Sequence, residues 1–178
     1  MPTTKDRAIY LLGAAGLALS IAVIFLAMRA VMDVGGFCAE GGPYEIETHC
    51  PEGVALLMTL AFPALFGFGA LMVWRGSPIG RGYQVAPAAA WPALFLSLGW
   101  NFLEYGFAPP GGGGPAWGWL LCGAIFVVMG GAPLLLVLRS EGVVRTPERA
   151  GWPWLAAIGI AVAVGVGGGY GLFRFFAG

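Results

Sequence analysis

Charged side chains are scarce in this sequence, at 10% of its 178 residues, whereas a soluble domain carries about 25%. A folded surface with so few charges would be poorly solvated by water, so a soluble globular protein is disfavoured. Clusters of lysine, or of basic residues interleaved with aromatics, are also missing, and nucleic acid is therefore not an expected partner. Hydrophobic residues make up 58% of the chain, and the mean hydropathy is +0.82. The expected surroundings are a lipid bilayer.

The apolar residues are gathered into five long runs. Each is close to the roughly 20 residues that an α-helix needs to cross the hydrocarbon core. Because lipid offers the backbone no hydrogen-bond partners, each run is expected to be helical. The runs lie at about residues 8–32, 54–74, 86–105, 117–138 and 153–173. The sequence thus predicts an all-α integral membrane bundle of five transmembrane helices, with residues 1–178 forming a single domain.

Basic residues are missing from two of the four connections, 33–53 and 106–116. The other two connections and the N-terminal segment contain seven of the nine basic residues: Lys5, Arg7, Arg75, Arg81, Arg139, Arg145 and Arg149. Positive charge collects on the cytoplasmic side of membrane proteins. This predicts an N-terminus inside and a C-terminus outside, in a bacterial inner or plasma membrane. Arg174, near the C-terminus, is an exception to the pattern.

Cysteine is rare, with three residues in all, and two of them lie in connection 33–53. Disulfides persist outside the cytoplasm, so Cys38 and Cys50 are expected to form a structural disulfide that closes this outer loop. A thiol oxidoreductase is the alternative. That chemistry usually needs a C-x-x-C pair, which is missing here, and Cys122 lies inside the fourth run.

The same outer loop and its edges are rich in possible metal ligands. They comprise Asp33, Glu40, Glu45, Glu47, His49 and Glu52. A zinc or calcium site would need several of them to converge, and no recognised ligand spacing is present. No metal or other cofactor is predicted, although binding of a cation by the acidic loop remains an open alternative.

Polar residues interrupt the third run. Ser97, Asn101 and Glu104 follow i, i+4, i+7 spacing, which places them on one face of a helix. Arg29 and Asp33 occupy the corresponding end of the first run, and Arg29 is expected to contact Glu104 or Asp33. In one interpretation these residues crosslink helices. In the other, Arg29 and the three polar residues of the third run form a polar site for a cation or small polar solute.

The fifth run contains two rows of small residues at four-residue spacing, which lets helix backbones approach closely. The Gly159 row is Gly159, Ala163, Gly167 and Gly171. The Gly165 row is Ala157, Ala161, Gly165 and Gly169. The Gly159 row is predicted to pack against another helix, which would belong to this chain, to a second copy or to another membrane protein.

Two segments, GGFCAEGGPY after the first run and SLGWNFLEYGF in the third, resemble segments of small multi-pass membrane proteins of GC-rich bacteria. That resemblance implies no activity and transfers no functional residues. Five spans and many tryptophans also resemble the tryptophan-rich sensory (translocator) family, whose ligand-binding aromatic motifs have no counterpart here.

Two classes of function follow. The first is a non-catalytic membrane component that acts through helix packing or partner binding. The alternative is a small transporter or channel-like protein that uses the Ser97, Asn101 and Glu104 face. Catalysis is not expected, because no nucleophile–base pair can be placed on the outer side.

Overall fold

The computed structural model describes residues 3–36, 38, 48–79, 85–139 and 152–177, which contain five α-helices joined by turns and irregular segments, without β-strands. The five helices are α1 Thr4–Asp33, α2 Val54–Ile79, α3 Val85–Phe107, α4 Trp117–Arg139 and α5 Trp152–Ala177. Each predicted apolar run therefore corresponds to one helix, and the all-α class is confirmed. The helices extend beyond most of the predicted bounds because polar residues such as Thr4 and Asp6 continue the helical hydrogen bonding.

Four helices, α1, α2, α4 and α5, are long and apolar enough to cross a membrane. Helix α3 has 23 residues, which corresponds to about 34 Å. Its length is adequate, but it contains Ser97, Asn101 and Glu104, with Pro92 inside the helix, and it is not among the four described helices that meet the criterion of length and apolarity.

Helix α1 is the centre of the bundle. It packs along α2 on one side and α5 on another, and it also contacts α3, whereas α4 packs on α3 alone within the described chain. The buried core draws on three helices, with members Tyr10, Val23, Ile24, Leu57, Met72, Leu94 and Leu98. Close approach of α1 and α2 depends on glycine, since a Cβ at Gly16 would lie 2.5 Å from the Phe68 ring.

Contacts between helix ends define the two ends of the bundle. At the Thr4 end, the Thr3 side chain and Asp6 form a capping box at the start of α1. Arg75, near the end of α2, pairs with Asp6 at 3.0 Å between Nη1 and Oδ1. Helices α1 and α2 are therefore antiparallel.

We call the opposite end the disulfide end, because a disulfide between Cys38 and Cys50 joins the segment after α1 to the segment before α2 there. A Cβ placed on Gly53, just before α2, would lie 2.3 Å from the carbonyl oxygen of Phe176 in α5. The Tyr105 hydroxyl in α3 donates a hydrogen bond to Asp33 at the end of α1. The start of α2 and the ends of α1, α3 and α5 therefore meet at this end.

Candidate functional site

A charged pair joins α1 to α3 near the disulfide end. The guanidinium of Arg29 donates two hydrogen bonds to the carboxylate of Glu104, at 2.6 Å from Nη1 to Oε2 and 3.1 Å from Nη2 to Oε1. Parallel donation of this kind is stronger and more directional than a single contact. The prediction that Arg29 contacts a carboxylate is confirmed, and Glu104 is the residue it contacts.

Asn101 connects the same pair to the interior. Its side-chain oxygen accepts a hydrogen bond from Arg29 Nη1 at 3.1 Å, and its Nδ2 donates to the backbone carbonyl of Phe25 at 3.1 Å. Asn101 is fully buried. Both ends of the amide are hydrogen-bonded, so its burial does not leave it unsatisfied.

Aromatic rings surround the guanidinium. It lies 5.1 Å from the ring centre of Tyr105 and 5.8 Å from that of Phe25, within the range of cation–π attraction. Because Tyr105 also donates its hydroxyl to Asp33, a second polar link joins α1 to α3 about one turn from the first. We call Arg29, Asp33, Asn101, Glu104 and Tyr105 the polar clasp.

Ser97 does not belong to the polar clasp, although it shares a face of α3 with Asn101. Its hydroxyl donates to the carbonyl of Leu94 in its own helix, at 2.8 Å. A short serine side chain reaches a carbonyl of the preceding turn more easily than a group on another helix. The structure therefore brings together three of the four residues expected at the polar site, Arg29, Asn101 and Glu104.

Tyr105 was not predicted as a member of this group. A signal was present in the sequence, because Tyr105 follows Asn101 by four residues, the spacing that placed Ser97 and Asn101 on one face. Nothing in the sequence indicated that the backbone carbonyl of Phe25 would accept a hydrogen bond from Asn101, since every residue has the same backbone oxygen.

Exposure changes sharply across the polar clasp. The side chains of Arg29 and Glu104 are 29% and 43% exposed, whereas Asn101 is completely covered. The clasp thus has a charged rim at the disulfide end and a closed interior. Its internal hydrogen bonds suit it to holding helices together, and it contains no residue pair arranged for nucleophilic attack.

The disulfide between Cys38 and Cys50 is present, with a Cα–Cα distance of 4.7 Å, as predicted. It links the segment after α1 to the segment before α2. The third cysteine, Cys122, is a free thiol exposed on α4.

The structure describes only part of the acidic loop. Glu40, Glu45 and Glu47 lie outside the described residues, and His49 is exposed. Across the part of the chain that the structure describes, no group of three or more His, Cys, Asp or Glu side chains is placed to hold a metal ion.

The two rows of α5 face different surroundings. A Cβ on Gly165 would lie 2.1 Å from the backbone oxygen of Ala15, and one on Gly169 would lie 2.8 Å from that of Leu19, so the Gly165 row packs tightly on α1. A Cβ on Gly159, Gly167 or Gly171 would meet nothing described within 4 Å.

Ala163 is likewise exposed. Of the two rows, the Gly165 row is therefore the one that packs within the chain. The Gly159 row lies on the other side of α5, away from every described neighbour, and its predicted packing partner is not found among the described residues of this chain.

Comparison with protein families and with curated proteins found no match for this sequence, and comparison with solved structures found none for its fold.

Proposed function

We propose that this protein is a non-catalytic, multi-pass component of the cell membrane that binds a partner transmembrane helix through the Gly159 row of α5. One observation carries the proposal. The small-residue row at Gly159, Gly167 and Gly171 is open, although the equivalent row on the opposite side of the helix is packed. Rows of this kind bring helix backbones together in lipid, where apolar burial alone gives little driving force.

The proposed arrangement has five membrane spans, with the Thr4 end inside and the disulfide end outside. Support comes from the separation of charge, since Lys5, Arg7 and Arg75 lie at the Thr4 end. A disulfide at the opposite end fits an oxidising compartment. Helix α3 is included as a span because Asn101 and Glu104 accept hydrogen bonds from Arg29 of α1, and Ser97 bonds to its own helix, which lowers the cost of these groups in lipid.

The alternative, transport of a cation or small polar solute along α3, has weaker support. A pathway needs polar groups that remain open to a solute. Asn101 is fully buried and engaged by Arg29 and Phe25, and Ser97 is bonded to its own helix. Asn101 therefore serves contact between α1 and α3, as expected of a protein that acts through helix packing, and the Ser97 hydroxyl serves α3 alone.

The test is photo-crosslinking in intact cells. A photoreactive side chain replaces Ala163 in the Gly159 row, and the matched control replaces Val162, which is exposed on another flank of the same helix. We expect a discrete protein adduct from position 163 and none from position 162. Mass spectrometry then identifies the adduct as another membrane protein or a second copy of the chain.

A companion variant, Gly167→Leu, adds bulk to the open row. We expect it to reduce the amount of crosslinked partner while leaving the melting temperature of the purified protein unchanged, because Gly167 has no described neighbour to displace. Equal adducts from positions 162 and 163, or no protein adduct at either, would remove the basis of the proposal.

A further inference from the structure

A groove of about 200 Å³ lies between α1, α2 and α5. Its floor is formed by α1, through Leu19, Ser20 and Val23. The hydroxyl of Ser20 donates to the carbonyl of Gly16 in its own helix, at 2.9 Å. The floor therefore presents an apolar surface to anything in the groove.

The walls are apolar and partly open to the surroundings. Leu60 and Ala64 line it from α2, and Leu172 and Phe176 line it from α5. Leu60 is 58% exposed and Phe176 is 44% exposed, so the rim is accessible from the side of the bundle. An apolar groove of this kind does not favour a hydrated solute.

One end of the groove is closed. The backbone of Phe176 lies against Gly53, where an added Cβ would be only 2.3 Å from the carbonyl oxygen. Helices α2 and α5 thus meet at the disulfide end, and an occupant enters from the side, where the rim is exposed.

The shape of the groove limits what can fill it. Leu56 and Ala64 mark its extent along α2, and eight residues of helix rise about 12 Å. This is close to the roughly 15 Å that one leaflet contributes to the hydrocarbon core. Even the whole open space of the groove, about 560 Å³, is smaller than the roughly 900 Å³ that a helix of this length and about 10 Å across would fill.

We propose that this groove holds a single acyl chain of a membrane phospholipid, in the leaflet at the disulfide end. The occupant is narrow and apolar, lies along the helix axes and reaches the groove laterally from the bilayer. The proposal depends on insertion of α1, α2 and α5 in the membrane and is independent of partner binding at the Gly159 row.

The test is native mass spectrometry of the protein extracted from its membrane in mild detergent. The variant Ala64→Phe places a ring in the groove, and the matched control Ala70→Phe adds the same ring to an exposed position of α2 outside it. We expect one retained phospholipid on the wild type and on Ala70→Phe, and a roughly tenfold lower adduct on Ala64→Phe because the ring takes the place of methylene contacts.

A second pair of variants tests the same groove independently, so that the result does not depend on Ala64→Phe folding correctly. Leu172→Trp narrows the groove from α5, and Leu155→Trp enlarges an exposed residue of the same helix outside it. Loss of the phospholipid from Leu172→Trp, with retention by Leu155→Trp, supports the same site from an independent wall.

Three results would overturn the proposal: no phospholipid on the wild type, equal adducts on groove and control variants, or a mass corresponding to a free fatty acid or a second copy of the chain. Crosslinking from Ala163 reports separately on partner binding, so failure of one proposal is not failure of the other.

Discussion

At the scale of single residues, Arg29 joins α1 to α3 through three side-chain hydrogen bonds. It donates to both carboxylate oxygens of Glu104 and to the side-chain oxygen of Asn101. The pair with Glu104 is partly exposed, so it contributes little more than an exposed ion pair, below about 1 kcal/mol. The contact with Asn101 matters more, because that oxygen is completely buried.

We therefore expect Arg29→Ala to lower the free energy of unfolding by about 2 kcal/mol, chiefly by leaving the buried Asn101 oxygen without its donor. Thermal unfolding in detergent measures the change. Arg174→Ala is the matched control, since Arg174 is exposed and lies 5.9 Å from the Tyr170 ring centre. Equal losses in the two variants would show that the polar clasp does not stabilise the bundle.

The disulfide gives a second prediction at this scale. Cys38 and Cys50 are 12 residues apart in sequence, and closing a loop of that length stabilises by about 3 kcal/mol in the chain-entropy model. We expect Cys38→Ser, or treatment with reductant, to lower the melting temperature. Cys122→Ser should leave it unchanged, because that thiol is free and exposed. A reduced protein that melts like the oxidised one would contradict the prediction.

Helical spacing predicted part of the polar clasp. Asn101 and Glu104 were placed on one face, and Arg29 was matched to them by its depth along the first run. The same spacing also grouped Ser97 with them, because periodicity specifies a face and not how far a side chain reaches. Serine finds an acceptor in its own helix, whereas the longer Asn101 side chain and Arg29 reach across the interface.

At the scale of elements, α5 presents two similar rows to different surroundings. The rows are offset by two residues, about 200° around the helix, and so lie on nearly opposite sides. The sequence predicted packing for the Gly159 row, whereas the Gly165 row is the one that packs within the described chain, because spacing alone does not distinguish the two rows. The Gly165 row packs because the facing residues of α1 are small. Ala15, Ala18 and Ala22 let Gly165 and Gly169 approach the α1 backbone.

This asymmetry predicts that Gly165→Leu destabilises the bundle by about 3 kcal/mol or more, because the new side chain would overlap the backbone of α1 at Ala15, which cannot yield by changing rotamer. Gly167→Leu is the matched control and should change stability by less than about 0.5 kcal/mol. Thermal unfolding compares them. A larger loss from Gly167→Leu would mean that α5 is rotated about its axis.

At the scale of the whole molecule, contacts between helix ends show that α1 and α2 run in opposite directions and that α3 runs in the direction of α1. Asp6 and Arg75 pair at the Thr4 end, and Arg29 and Glu104 pair near the disulfide end. The number and order of the helices followed from the lengths of the apolar runs. Their lateral arrangement did not, because nothing in those runs indicates that α1 is the centre and that α4 contacts only α3 within the described chain.

Orientation is tested by labelling engineered thiols in intact cells, in a Cys122→Ser background. Gly114→Cys lies in the open turn between α3 and α4 and should react with a membrane-impermeant reagent. Ser77→Cys, in the last turn of α2, should react only after permeabilisation, as expected for the side that carries the basic residues. Labelling of position 77 from outside would reverse the proposed orientation.

The central position of α1 also has a consequence for biosynthesis. Gly165 contacts Ala15, yet 150 residues separate them in the chain. At about 5–20 residues per second, α1 leaves the ribosome on the order of 10 s before the helix that covers this side of it. During that interval the alanine-lined side of α1 faces lipid, or whatever assists insertion. A chain truncated between α4 and α5 would therefore form a bundle of four helices in which this side of α1 stays uncovered and is able to bind the α5 of a neighbouring chain.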